Sequence, residues 1–356
     1  MQLQLERYMR HATSTDFMRS GRRLLAIWIV SVYGTMGFAV AQGSSITVPP
    51  TVRTPERSVG EWLVRMHEAS QLRSYVGTFV VSSNAGGMSS ARIWHASDSD
   101  MQVERVEVLT GAPRSTFRRN DEVFTFLPES RVVRTEKRES LGWFPDLLKS
   151  SDSSIPEFYV ARRVGQDRVA GFDADVVHLA PKDNLRFGYR IWSEKKSGLV
   201  VKLQTLDPEG TVLEQSAFSE LQLDAALKVD KLAQMMVAPE GWRIEKSDAI
   251  KTSAGAEGWA LRADIAGFKP MSCYKRRATT GSALEGTMQW IFSDGLASVS
   301  LFVEAYDRQR HTQEGLFASG ATQTLTRRIK DWWLTAVGEV PPQTLKAFAQ
   351  NLERRK

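Results

Sequence analysis

A single cysteine serves this chain of 356 residues. Cys273 cannot close an internal disulfide, so the fold must be held together by burying apolar surface. Histidine is sparse as well. None of His67, His95, His178 and His311 stands in an H-x-x-x-H, H-E-x-x-H or C-x-x-C pairing, so the sequence advertises no metal site and no cofactor. A G-x-S-x-G elbow, an S-x-x-K pair and a P-loop are also missing. A triad could still assemble from distant residues, but His95 and His178 fall inside strand-like runs. No carboxylate stands in a setting apolar enough to suggest a raised pKa. These absences lead to the expectation of a protein that is not an enzyme.

Long hydrophobic runs are missing except near the start. Arg19, Arg22 and Arg23 precede Leu24-Leu25-Ala26-Ile27-Trp28-Ile29-Val30, and the apolar character continues through Val32, Met36 and Phe38 to Ala39-Val40-Ala41. This order reads as a secretory signal peptide over 1–41, cleaved after Ala41, with Met18 an alternative start. The arginines stay cytoplasmic and the rest is exported. An uncleaved membrane anchor is the competing reading. An excess of one charge is lacking too. Residues 1–41 hold five of the 47 basic and two of the 41 acidic residues, leaving 42 against 39. That balance is too weak to suggest a nucleic-acid partner, and none is expected. The small surplus is uneven: residues 240–356 carry 17 Lys and Arg against 13 Asp and Glu, while 42–239 are at −1.

The rest of the chain is punctuated clearly. Residues 42–57, rich in Ser, Thr and Pro, read as a flexible tether. Ser58-Val59-Gly60-Glu61 matches a capping box, and Trp62, Leu63, Met66 and Ala69 follow at helical spacing, predicting a helix over 59–72. Short β-branched or aromatic runs begin at Tyr75. Four of them, at 173–180, 185–193, 199–206 and 211–218, are joined by turns too short for a helical crossover and must be antiparallel neighbours. Phe187, Tyr189 and Ile191 alternate onto the face expected to be buried. A helical stretch at 224–237 ends at Pro239-Glu240-Gly241. The domain division is therefore 58–225, a linker over 226–240, and 241–356, opening with Trp242 to Ile244. Ser293-Asp294-Gly295 between two alternating runs predicts a hairpin. Leu345, Phe348, Ala349 and Leu352 mark a closing helix after Pro341-Pro342.

Two features look built for binding. The interruption at 137–158 is long and apolar, with Leu141, Trp143, Phe144, Leu147, Leu148, Ile155 and Phe158. It reads as a lid, or as a helix covering the mouth of a curved sheet that could contain acyl chains. Lys275, Arg276, Arg277, Arg308, Arg310, Arg327 and Arg328 give the last third a basic character suited to an acidic segment or to lipid phosphates. The bland alternative is a set of solvated strand ends.

The turns and strands carry a resemblance. Gly171-Phe172-Asp173, Pro181-Lys182-Asp183-Asn184, Tyr189-Arg190-Ile191-Trp192, Ser197-Gly198-Leu199, Leu206-Asp207-Pro208-Glu209-Gly210 and Leu213-Glu214-Gln215 resemble the MucB/RseB family of periplasmic regulators of the sigma-E envelope stress response. So do the stretch from Phe292-Ser293-Asp294-Gly295-Leu296 to Ser300, and Val337-Gly338-Glu339-Val340-Pro341-Pro342. The likeness spans nearly all of the exported part. It implies an α+β, mainly antiparallel β fold: a large LolA/LolB-like half-open barrel with helices across its mouth, then a smaller mixed domain. It also implies a partner, the periplasmic segment of an RseA/MucA-like transmembrane anti-sigma factor, shielded from proteolysis until lipopolysaccharide or another acyl-chain lipid relieves the shielding. A homodimer stays open. The alternative function is a lipid or lipoprotein carrier. Lys330 to Trp333 do not match the family pattern.

Overall fold

The computed structural model describes residues 57–98, 101–137, 144–148, 154–246, 249–276 and 286–355. The expected signal peptide, its cleavage site and the tether as far as residue 56 lie outside them, as do Leu141, Trp143 and Arg277.

Helix α1 (Val59–Leu72) begins where the capping box puts it. Glu61 N donates to Ser58 Oγ at 3.3 Å and Ser58 N donates to Glu61 Oε2 at 2.7 Å, so two of the orphan end donors are satisfied. Trp62, Leu63, Met66 and Ala69 form its buried stripe.

Eleven strands follow: β1 (Tyr75–Ser83), β2 (Met88–Asp98), β3 (Met101–Val108), β4 (Arg114–Arg119), β5 (Glu122–Leu127), β6 (Val132–Lys137), β7 (Tyr159–Val169), β8 (Phe172–Pro181), β9 (Gly188–Glu194), β10 (Val200–Leu206) and β11 (Val212–Leu223). With β12 (Arg243–Lys246) they make a 12-stranded sheet in the order β12-β6-β5-β4-β3-β2-β1-β11-β10-β9-β8-β7. The meander expected over 173–218 is β8 to β11, and β11 runs on to Leu223 to pair with β1. Helix α1 touches β2, β10 and β7, so the sheet curls around it while its two edges stay unpaired with each other. The inner face supplies the main core, including Phe79, Ile93, Val177, Leu179 and Ile191.

The outer face is covered only in part. Helix α2 (Ile155–Phe158), in the interruption before β7, buries Ile155 in the main core, whereas on the outer face helix α3 (Val229–Gln234) packs Leu232 against Ala96, Val103, Phe117 and Val133. Strand β12 then joins β6 in parallel, and Trp242 sits 6.2 Å from Phe126. The stretch read as a linker thus packs on the large sheet, as does Trp242, and Arg243 and Ile244 pair with β6 in that sheet instead of opening the second domain.

The second sheet has seven strands in the order β13-β15-β16-β17-β20-β19-β18, namely β13 (Ala249–Lys251), β15 (Lys269–Arg276), β16 (Met288–Ser293), β17 (Ser298–Ala305), β18 (Gly315–Ser319), β19 (Thr322–Ile329) and β20 (Trp332–Gly338). A small pair, β14 (Trp259–Leu261) and β21 (Leu352–Arg354), lies beside it. The closing helix α4 (Pro342–Asn351) buries Leu345, Phe348 and Ala349. The Asp-Gly signal is a turn between β16 and β17, as expected.

Candidate functional site

The two domains are joined by side chains that cross between them. Leu185, from the turn after β8, packs against the second core, while Leu296, from the turn after β16, is buried in the first. Between them lies Arg186, whose side chain is fully buried. Its Nε donates to Asp294 Oδ2 at 2.7 Å, one terminal nitrogen donates to Asp183 and the other to Ala266 O at 2.5 Å. Its guanidinium carbon sits 4.2 Å from the Phe158 ring centroid and 5.0 Å from that of Phe268. Asp294 in turn accepts from Leu296 N at 3.0 Å and Ala297 N at 2.7 Å. Gly267 lies at φ +80°, and a Cβ there would collide with Arg186 and the Phe158 ring. The buried fork fits a rule for such charges: each of its three nitrogens has an acceptor and the plane has aromatic faces.

The described part of the 137–158 interruption, hereafter the lid, is packed down. Phe144 lies 5.5 Å from Phe79 and 4.9 Å from Phe218, and Leu147, Leu148 and Phe158 pack on the first core beside buried Ile155. Asp146 fastens this segment to α1: Gln71 Nε2 donates to it at 3.3 Å and His67 Nδ1 lies 3.5 Å away. That carboxylate holds the His67 pKa above its ordinary value. The sheet's interior is therefore occupied by the protein's own apolar side chains.

Under the lid, one row crosses four strands: Tyr75, His95, Glu104 and Arg118 stand opposite one another in register. Tyr75 and His95 rings stack at 4.9 Å, and His95 Nδ1 bonds Arg73 O at 2.8 Å. Burial pushes the His95 pKa down to about 4. Burial pushes Glu104 up to about 7, against the attraction of Arg118 at 3.7 Å. The expectation that no carboxylate stands in an apolar setting is corrected here. Val103 faces α3 and Val106 faces the inner core, so β3 is covered on both sides and its alternation hides a buried Glu104.

The basic residues of the second domain do not form one patch. Register places Lys275, Met288, Val303, Leu334 and Arg327 in one row, with the two cations at opposite ends. At about 4.8 Å per strand they stand roughly 19 Å apart. Lys275 is engaged by Glu257 at 2.6 Å. Arg276 lies on the other face, at the end of β15. Arg310 and Arg328 do come together around the turn at 306–311, in which Arg308 is an exposed residue. Arg328 covers the Tyr306 ring at 3.9 Å, and Arg310 pairs with Asp307 at 3.0 Å and Glu304 at 3.3 Å. His311 Nδ1 accepts from Asp307 N at 2.8 Å, and its ring stacks on Trp333 at 4.8 Å. The unmatched segment has a structural role: Lys330 adopts the left-handed turn, Trp333 supports His311, and Trp332 meets Trp259 edge-on at 5.7 Å.

A further basic row lies on the outer face of the first sheet, where Arg162, His178 and Arg190 stand abreast on β7, β8 and β9. Burial and the two arginine charges hold His178 below its ordinary pKa. The short turns of the meander fix this register, so the row was readable in principle. Among the described residues, no group of three or more His, Cys, Asp or Glu could hold a metal.

Comparison with known proteins gives this architecture a family. Residues 58–236 match the MucB/RseB N-terminal domain and 253–353 the MucB/RseB C-terminal domain. The chain is 28% identical over 327 residues to the sigma factor AlgU regulatory protein MucB of Pseudomonas aeruginosa, covering 89% of this chain and 97% of that one. It is 26% identical over 298 residues to the sigma-E factor regulatory protein RseB of Escherichia coli K12, covering 83% and 90%. The crystal structure of MucB in complex with MucA(peri) superposes with a TM-score of 0.61 at 26% identity, covering 83% of this chain and 98% of that one. The P. aeruginosa MucA/MucB complex gives 0.63 at 25%, covering 83% and 99%. With both family domains matched in order and across most of its length, this chain belongs to the MucB/RseB family.

Proposed function

We propose that this chain is a periplasmic regulator of an envelope stress sigma factor, working as a binding protein and not as a catalyst. Its partner is the periplasmic segment of a membrane-spanning anti-sigma factor, which it shields from regulated proteolysis. An acyl-chain lipid such as lipopolysaccharide entering the first domain weakens that grip. The observation that carries the reading is the likeness through both domains to MucB, a protein solved in complex with MucA(peri). The signal-like start supports export. The corner formed by Arg310 and Arg328 at the turn that carries exposed Arg308, with exposed Arg327 nearby on β19, supports an acidic partner surface. A carrier reading fits less well, because a carrier needs only the first sheet and leaves the second domain, with its own core and sheet, without a role.

The test is affinity. Charge reversal at Arg308, Arg310, Arg327 and Arg328 together should weaken binding of a MucA-like periplasmic segment by about tenfold or more at low salt, with less effect at high salt. Unchanged affinity at low salt removes the corner from the interface.

A further inference from the structure

We infer that the 182–186 loop couples helix α2, the described end of the lid, to the second domain, with Arg186 as its positioning residue; the consequence for ligands rests on the function proposed above. The loop is tied from both sides. Toward the lid, Lys182 N donates to Phe158 O at 2.8 Å, Lys182 Nζ donates to Pro156 O at 2.8 Å, and the Arg186 plane covers the Phe158 ring. Toward the second domain, Gln343 donates to Asn184 O, Thr344 Oγ1 donates to Leu185 O at 2.7 Å, and Arg186 pairs with Asp294 and Ala266 O. Gly267 leaves no slack between Phe158 and Arg186.

Lifting Phe158 from the mouth uncovers one side of a buried cation, and shifting the second domain strips its acceptors. A buried guanidinium tolerates neither loss, so the two displacements are favoured together. That makes the loop a shared element that both sites can bias. A segment gripping the docked second domain then holds the lid closed. An acyl chain that needs the lid open weakens the segment's grip by the same factor, because the coupling is reciprocal.

Two measurements on the full exported chain test this. In the first, Lys182→Met cuts a lid-side tie at an exposed side chain, and hydrogen exchange is followed at Leu296 and Ala297, whose amides bond Asp294 in the second domain. Exchange there should rise by about threefold or more; an unchanged rate overturns the coupling. In the second, cis-parinaric acid and a MucA-like segment are titrated against each other. In the wild type each should weaken the other by about fivefold or more, whereas Arg186→Lys, which keeps the charge but not the fork, should bring the factor near one with each ligand still bound alone. Undiminished coupling in that variant overturns the inference. A wild type that binds neither ligand refutes the proposed function, and the exchange measurement still decides the coupling.

Discussion

A double-mutant cycle on Arg186 and Asp294 probes the centre of this structure. Both side chains are fully buried, 2.7 Å apart. Removing the guanidinium with Arg186→Met leaves Asp294 buried with Oδ2 unanswered, and should cost about 3–5 kcal/mol. Asp294→Asn keeps an acceptor for Leu296 N and Ala297 N and leaves Arg186 its bond to Asp183, so about 2–3 kcal/mol is expected. In the double variant no charge is stranded. Its cost should fall below the sum of the singles by about 2 kcal/mol. Urea unfolding of the full chain reads all four corners, with the slopes compared to confirm that the same transition is followed. Additivity within about 0.5 kcal/mol would refute the reasoning, since two residues in one network cannot act independently.

Two other perturbations bear on the first domain. Glu104, held at about 7, takes up protons on folding, so its contribution to stability falls as pH rises from about 4.5 to about 7. His95, held at about 4, gives protons up, so its contribution rises with pH from about 4 to about 6.5. The two offset each other in the wild type. Glu104→Gln should therefore expose a stability increase of up to about 3 kcal/mol between pH 4.5 and 6.5, measured by thermal or urea unfolding; a flat profile rejects the burial-driven shift of His95. Phe144→Ala should lower stability by about 3 kcal/mol and create space between Phe79 and Phe218. A fluorescent fatty acid should bind this variant more tightly than the wild type. Equal or weaker binding would mean that the sheet interior is not an acyl site.

Much of the fold was readable because its signals are local. The capping box set the start of α1 to the residue, the short turns forced the β8 to β11 meander, and Asp-Gly marked the β16–β17 turn. What escaped depends on contacts between distant residues. Asp294 looks like an ordinary exposed turn residue until Arg186, 108 positions away, is docked on it. Strand β12 joins β6 in parallel, a pairing with no adjacent turn to announce it. The lid was visible as an apolar interruption, but its fastening by Asp146 to α1 was not. The basic residues were found individually. Their division between sheet ends and faces followed from register alone.

The exchange of Leu185 and Leu296 has a consequence for how the molecule can be taken apart. Each half contributes a piece of the other's interior, so a fragment ending before β13 would lack a plug and bear an orphaned leucine on its surface. Expressed separately, the halves should be poorly soluble and should regain order when mixed. Insertions and deletions should therefore be tolerated in the surface turns far better than in the two short segments that trade these residues.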